Sequence, residues 1–118
     1  MSGWKGIIVS ESLSEPSIIS EFEVFKATIS KKELDLGEGN KGRWHLYHVY
    51  ATDSQLDALQ TMIKRGWYAH FWRGKDLVVI FKGRRFEMRA DDKSSWKDAI
   101  EYGLSVGIPE KELDFPTE

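Results

Sequence analysis

Cysteine is absent from this chain, which at once removes disulfide staples, thiolate metal sites and a cysteine nucleophile. Long apolar runs are missing too. The amino terminus, Met1-Ser2-Gly3-Trp4-Lys5, leads into only Ile7-Ile8-Val9 before polar residues return. That is too short for the apolar region of a signal peptide, and no later run approaches a membrane span. No G-x-S-x-G surrounds any serine, so the nucleophile elbow of hydrolases has no candidate. Internal repeats, low-complexity tracts and interdomain linkers are likewise lacking. The expectation is one soluble, cytoplasmic domain spanning residues 1–118, long enough to bury a core without a metal or disulfide.

Net charge is −2, but it is unevenly placed. Residues 1–42 carry five basic and seven acidic groups, residues 43–90 nine and four, and residues 91–118 three and eight. A basic middle suits an anionic ligand or a nucleic acid. It suits equally well a meander whose cations offset an acidic carboxyl-terminal segment within one fold.

What the chain has in abundance is aromatic side chains, five Trp, four Tyr and six Phe. They are densest between Trp67 and Arg89, where three apolar or aromatic runs are separated by Arg73-Gly74-Lys75-Asp76 and Lys82-Gly83. Short runs broken by glycine-bearing polar turns predict an antiparallel three-strand meander. Upstream, Ile7–Val9 reads as a buried strand, and Ser14-Glu15-Pro16 as a helix start with Ile18, Ile19 and Phe22 on one side. Glu23–Ile29 fits a strand, Gly37–Gly42 a loop, and Trp44–Tyr50 a strand. Thr52 and Gln55 have the spacing of a capping box ahead of a helix with Leu56, Leu59, Met62 and Ile63 as its stripe, ended by Gly66. Ser95 and Asp98 suggest a cap for a last helix, Trp96–Leu104, stopped by Gly107 and Pro109. The order is that of a ferredoxin-like βαββαβ plait, extended by a carboxyl-terminal β-hairpin and helix. The fold class expected is therefore α+β, with a mainly antiparallel sheet of about six strands. Its first and third strands are central, and Leu77–Phe81 is interior.

Motifs with chemical content are few. Gly37-Glu38-Gly39-Asn40-Lys41-Gly42 matches G-x-G-x-x-G, but a strand pattern follows it rather than a helix, so it reads as a flexible hairpin loop. His45 and His48 fall on opposite faces of one strand and do not chelate together. His70 meets one or the other according to sheet register, with Glu87 as a candidate carboxylate. Rings flanked by Arg73, Lys75, Lys82, Arg84, Arg85 and Arg89 resemble the chemistry of single-stranded RNA readers, without their aromatic-glycine-aromatic run. Asp91-Asp92 reads as capping for the last helix rather than a cation site. No metal site and no cofactor are expected.

Gly66-Trp67-Tyr68-Ala69-His70-Phe71-Trp72, Val79-Ile80-Phe81-Lys82-Gly83-Arg84 and Trp96–Gly103 with Gly107-Ile108-Pro109 together resemble a small prokaryotic family of uncharacterised proteins. The likeness is best over the carboxyl-terminal half. It implies a freestanding protein and carries no activity, cofactor or residue role.

Trp44, Leu46, His48 and Tyr50 alternate with His45, Tyr47, Val49 and Ala51, and Trp67, Ala69 and Phe71 with Tyr68, His70 and Trp72. Both sheet faces are then too apolar to stand in water. The far face needs a cover: the last helix, a second copy of the chain as a homodimer, or a ligand. The leading reading is a non-enzymatic small-ligand- or partner-binding module with a pocket on the aromatic sheet face, gated by Gly37–Gly42. Its expected residues are His48, Tyr68, His70 and Trp72, with Arg73, Lys82 and Arg84, joined by Arg85, as a basic rim favouring an anionic small molecule or an acidic protein surface. Two alternatives stay open: a small enzyme with His48 or His70 as general base, and single-stranded nucleic-acid binding.

Overall fold

Alternation of side chains sorts the molecule into two cores. The computed structural model describes residues 3–29, 34–37, 40–42 and 45–115. Its strands are β1 (Trp4–Val9), β2 (Glu23–Ile29), β3 (Leu34–Gly37), β4 (Asn40–Gly42), β5 (His45–Ala51), β6 (Ala69–Arg73), β7 (Asp76–Phe81) and β8 (Arg84–Arg89). Six of them form one sheet in the order β2-β5-β1-β6-β7-β8, antiparallel at every step. Strands β1, β5 and β7 are interior, and β3 and β4 pair separately as a two-stranded ribbon. The expected Gly37–Gly42 loop is thus partly strand backbone, while Trp44 lies outside the described residues. Gly74 and Gly83 turn the two carboxyl-terminal hairpins with φ of 62° and 73°, a region L residues seldom adopt.

On the first face, Trp4, Ile8, Val49, Phe71, Val78 and Ile80 are buried under α1 (Asp53–Met62) and the segment after β1. Helix α1 opens with the capping box foreseen from Thr52 and Gln55, Thr52 Oγ1 accepting from the Gln55 amide and the Gln55 side chain accepting from the Thr52 amide. The segment expected as a helix from Pro16 is instead a 3₁₀ turn, Pro16–Glu21. Its bonds run three residues back, Ile18 N–H to Glu15 at 3.1 Å and Phe22 N–H to Ile19 at 3.0 Å. Serines and β-branched isoleucines are weak helix formers, and the tighter turn buries adjacent Ile18 and Ile19 together. A bridge between Leu13 and Ile63 ties this crossover to the end of α1.

Among the described residues the second face is covered over β6–β8 only. There Leu77, Val79, Phe81 and Met88 pack under α2 (Lys97–Ser105) and the carboxyl-terminal tail. The cap expected from Ser95 lies elsewhere: Asp92 accepts from the Ser94 amide and caps a 3₁₀ turn, Lys93–Trp96, that leads into α2. Ser95 Oγ instead accepts from the Arg89 amide at 2.9 Å. Gly103 belongs to the apolar stripe for a steric reason, since a Cβ there would meet the Leu113 side chain at 2.5 Å. Over β2, β5 and β1 no described element covers the same face, and Phe25 and Tyr50 are 41% and 36% exposed.

Gly6 marks the tightest approach in the sheet. A Cβ there would stand 2.1 Å from the Phe71 ring and 2.6 Å from the His70 carbonyl oxygen, which is backbone and cannot rotate away. Gly6→Ala is expected to lower unfolding free energy by about 3 kcal/mol, read as a shifted urea midpoint at constant slope. A loss under about 1 kcal/mol contradicts this packing.

Candidate functional site

Where the roof of the second face stops, a cavity of about 450 Å³ begins. Its floor is Ile7 and Val9 from β1, Leu46 from β5 and His70 from β6; its wall is Gly66, Trp67 and Tyr68; its lip is Glu112 and Asp114. Strand register explains the floor. Ile7 lies opposite His48 on one side and His70 on the other, and Val9 opposite Leu46, so the five side chains share one face. The volume falls within the range of small-molecule pockets, about 300–1,000 Å³.

The tail forms the lip because Leu113 and Phe115 anchor it. Phe115 is 1% exposed and packs against Tyr68, His70 and Trp96 at ring-centre distances of 5.4, 6.1 and 5.2 Å. The Tyr68 hydroxyl donates to the Glu112 and Asp114 backbone carbonyls. Both residues are exposed and line the cavity.

Of the residues expected from sequence, Tyr68 and His70 line the cavity. Trp72 is buried on the same face, its ring 5.5 Å from that of His70. His48 is on this face as well, edge-on to Phe25 at 6.1 Å, with its Nδ1 buried and unbonded. Two strand spacings, roughly 10 Å, separate His48 from His70, so the register does not make them a pair. His45 points to the opposite face, as does Glu87, and the pairings of either with His70 do not form. Glu11 meets His45, its carboxylate 2.8 Å from Nδ1. Partial burial pushes the Glu11 carboxyl up, but the His45 amide, the His45 ring and the Ser10 hydroxyl together bring it below its usual range. Three or more metal-ligating groups are not clustered anywhere among the described residues.

The expected basic rim is corrected by the sheet register. Arg73 stacks 4.2 Å over the Trp4 ring on the first face, and Arg84 stacks 5.3 Å from the Tyr102 ring. Lys82 is exposed in the β7–β8 turn. Arg85 reaches Asp57 at 2.9 Å and Asp53 at 3.1 Å across the first face. That guanidinium, with the Trp4 indole, holds the Asp53 carboxyl below its ordinary value. Arg89 likewise pairs with Asp76 and Asp91, and Lys75 with Asp91. The cations expected as a basic rim are therefore spread over two faces, and Arg85 among them is paired with carboxylates. Sequence reading missed Ile7, Val9, Leu46, Glu112 and Asp114. The alternation of apolar Leu113 and Phe115 with acidic Glu112 and Asp114 was the available signal for a docked tail with an acidic outer side.

Burial, then the charges of Asp114 and Glu112, push the Tyr68 phenol up to about 12, against a hydrogen bond to Asp114 that acts the other way. The unfolded phenol titrates near about 10, so the neutral ring favours the fold below that pH and the contribution is lost between about pH 10 and 12. The unfolding free energy of the native protein relative to Tyr68→Phe should fall by about 1–2 kcal/mol across that window, the ring's partial exposure keeping the figure small. A constant difference from pH 9 to 12 refutes the buried, acid-flanked phenol.

No protein-family description, curated protein or solved structure matches the chain.

Proposed function

We propose that this protein is a small-ligand-binding module built on a ferredoxin-like plait, with the cavity beneath the carboxyl-terminal tail as its site. The plait reading is supported by the order β6-β1-β5-β2, with β1 and β5 interior and a helical crossover following each on one face. Hairpin β7–β8 and α2 are the extension. One observation carries the functional reading: a cavity of about 450 Å³ opens where an apolar sheet face loses its cover. Its floor is Ile7, Val9 and Leu46, and its orienting polar groups are His70 and the lip of the tail. Apolar walls with a few convergent polar groups are the usual composition of a binding pocket. A general-base enzyme draws less support, because the described histidine–carboxylate contact, His45–Glu11, lies on the other face. Nucleic-acid binding draws less too, because Arg85, Arg89 and Lys75 are engaged by carboxylates.

A neutral solvatochromic dye tests the site without presuming a ligand's charge. Its emission should rise and shift blue with the native protein, and the response should drop at least about tenfold in Ile7→Trp and Leu46→Trp, whose rings fill the cavity. Unchanged melting of these variants separates loss of the site from loss of the fold. No response with the native protein, or an equal response with both variants, contradicts the proposal.

A further inference from the structure

Resting on that reading of the cavity, we infer that its ligand is an amphiphilic cation: an apolar aliphatic or aromatic body carrying one ammonium group directed at Glu112 and Asp114. The basic middle of the chain pointed to an anion, and its cations are placed elsewhere. None of Arg73, Lys82, Arg84 and Arg85 lines the cavity. Lys64, Arg65 and Lys111 are sequence neighbours of the wall and lip, and they do not line it either. Among the described residues the acidic Glu112 and Asp114 line the cavity, and no Lys or Arg does.

Three further features favour a cation. Two aromatic residues, Trp67 and Tyr68, line the cavity, and aromatic rings attract positive charge through their quadrupoles. The two carboxylates are close enough to the hydroxyl of Tyr68, a lining residue, for their charge to oppose its ionisation. The tail itself is held by Tyr68 on backbone carbonyls and by Leu113 and Phe115 in the core, so neither carboxylate is needed to dock it. Asp114 Oδ1 accepts from the Phe115 amide at 3.1 Å, which leaves its second oxygen to a ligand. An asparagine would keep that bond.

Three molecules sharing one body test the charge directly: 4-phenylbutylamine, 4-phenylbutanol and 4-phenylbutyrate, titrated against native tryptophan fluorescence and by calorimetry. The amine is expected to bind about five- to tenfold tighter than the alcohol, and the carboxylate weaker than both. The preference should shrink as salt rises, because the lip is exposed. In the double variant Glu112→Gln, Asp114→Asn the amine-to-alcohol affinity ratio should fall to about one, with thermal stability unchanged. Equal binding of all three, or preference for the carboxylate, overturns the cationic ligand while leaving the cavity as a binding site. Binding of none of them overturns the cavity reading as well.

Discussion

The structure depends on burying both faces of two adjacent strands. In β6 the residues Ala69, His70, Phe71 and Trp72 are all buried, and in β7 so is every residue from Leu77 to Phe81. One layer of helix cannot do this. The first face is met by α1 and the crossover after β1, and the second face must recruit another layer from the end of the chain. At about 25 cal/mol per Å² of apolar surface removed from water, leaving either face of β7 wet would cost several kcal/mol. That is a large share of the stability of a domain this size.

The second layer is short, and its length decides where the site lies. Helix α2 spans nine residues and reaches over β6, β7 and β8. Beyond it the tail passes across Gly103, where the missing side chain admits Leu113, and wedges Phe115 between Tyr68 and Trp96. The same contacts that complete the second core set Glu112 and Asp114 at the edge of the uncovered floor. Stability and binding are coupled through this tail: loosening Phe115 would free both the roof over His70 and the acidic lip. The remaining open surface, with Phe25 4.6 Å from Tyr50 and Lys5 near both rings, continues the apolar floor outward to the edge strand.

Much of this was legible in residues whose pattern is local. Apolar residues in both phases of Leu77–Phe81 announced a strand with two covers, and Thr52 with Gln55 announced the start of α1. What escaped reading depended on distant pairing. Which histidines meet is set by how β5 and β6 register on β1, and no residue within those strands specifies it. Trp67 and Tyr68 carry strand-like side chains but precede β6, because pairing with β7 begins only at Ala69 and with β1 only at His70. The basic rim failed on a simpler point: Arg84 and Arg85 are consecutive in one strand and so take opposite faces. In the carboxyl-terminal segment Leu113 and Phe115, set between acidic residues, make a buried strap.

Solvent paramagnetic relaxation of methyl groups measures the half-covered face most directly. With a neutral gadolinium chelate in solution, methyls of Ile7, Val9 and Leu46 should relax strongly at every protein concentration. Those of Leu77 and Val79 on the same face, and of Ile8 and Val49 on the opposite one, should stay protected. Uniform protection of Ile7, Val9 and Leu46, or its appearance as concentration rises, would mean that a further layer closes the floor and that no open cavity exists there.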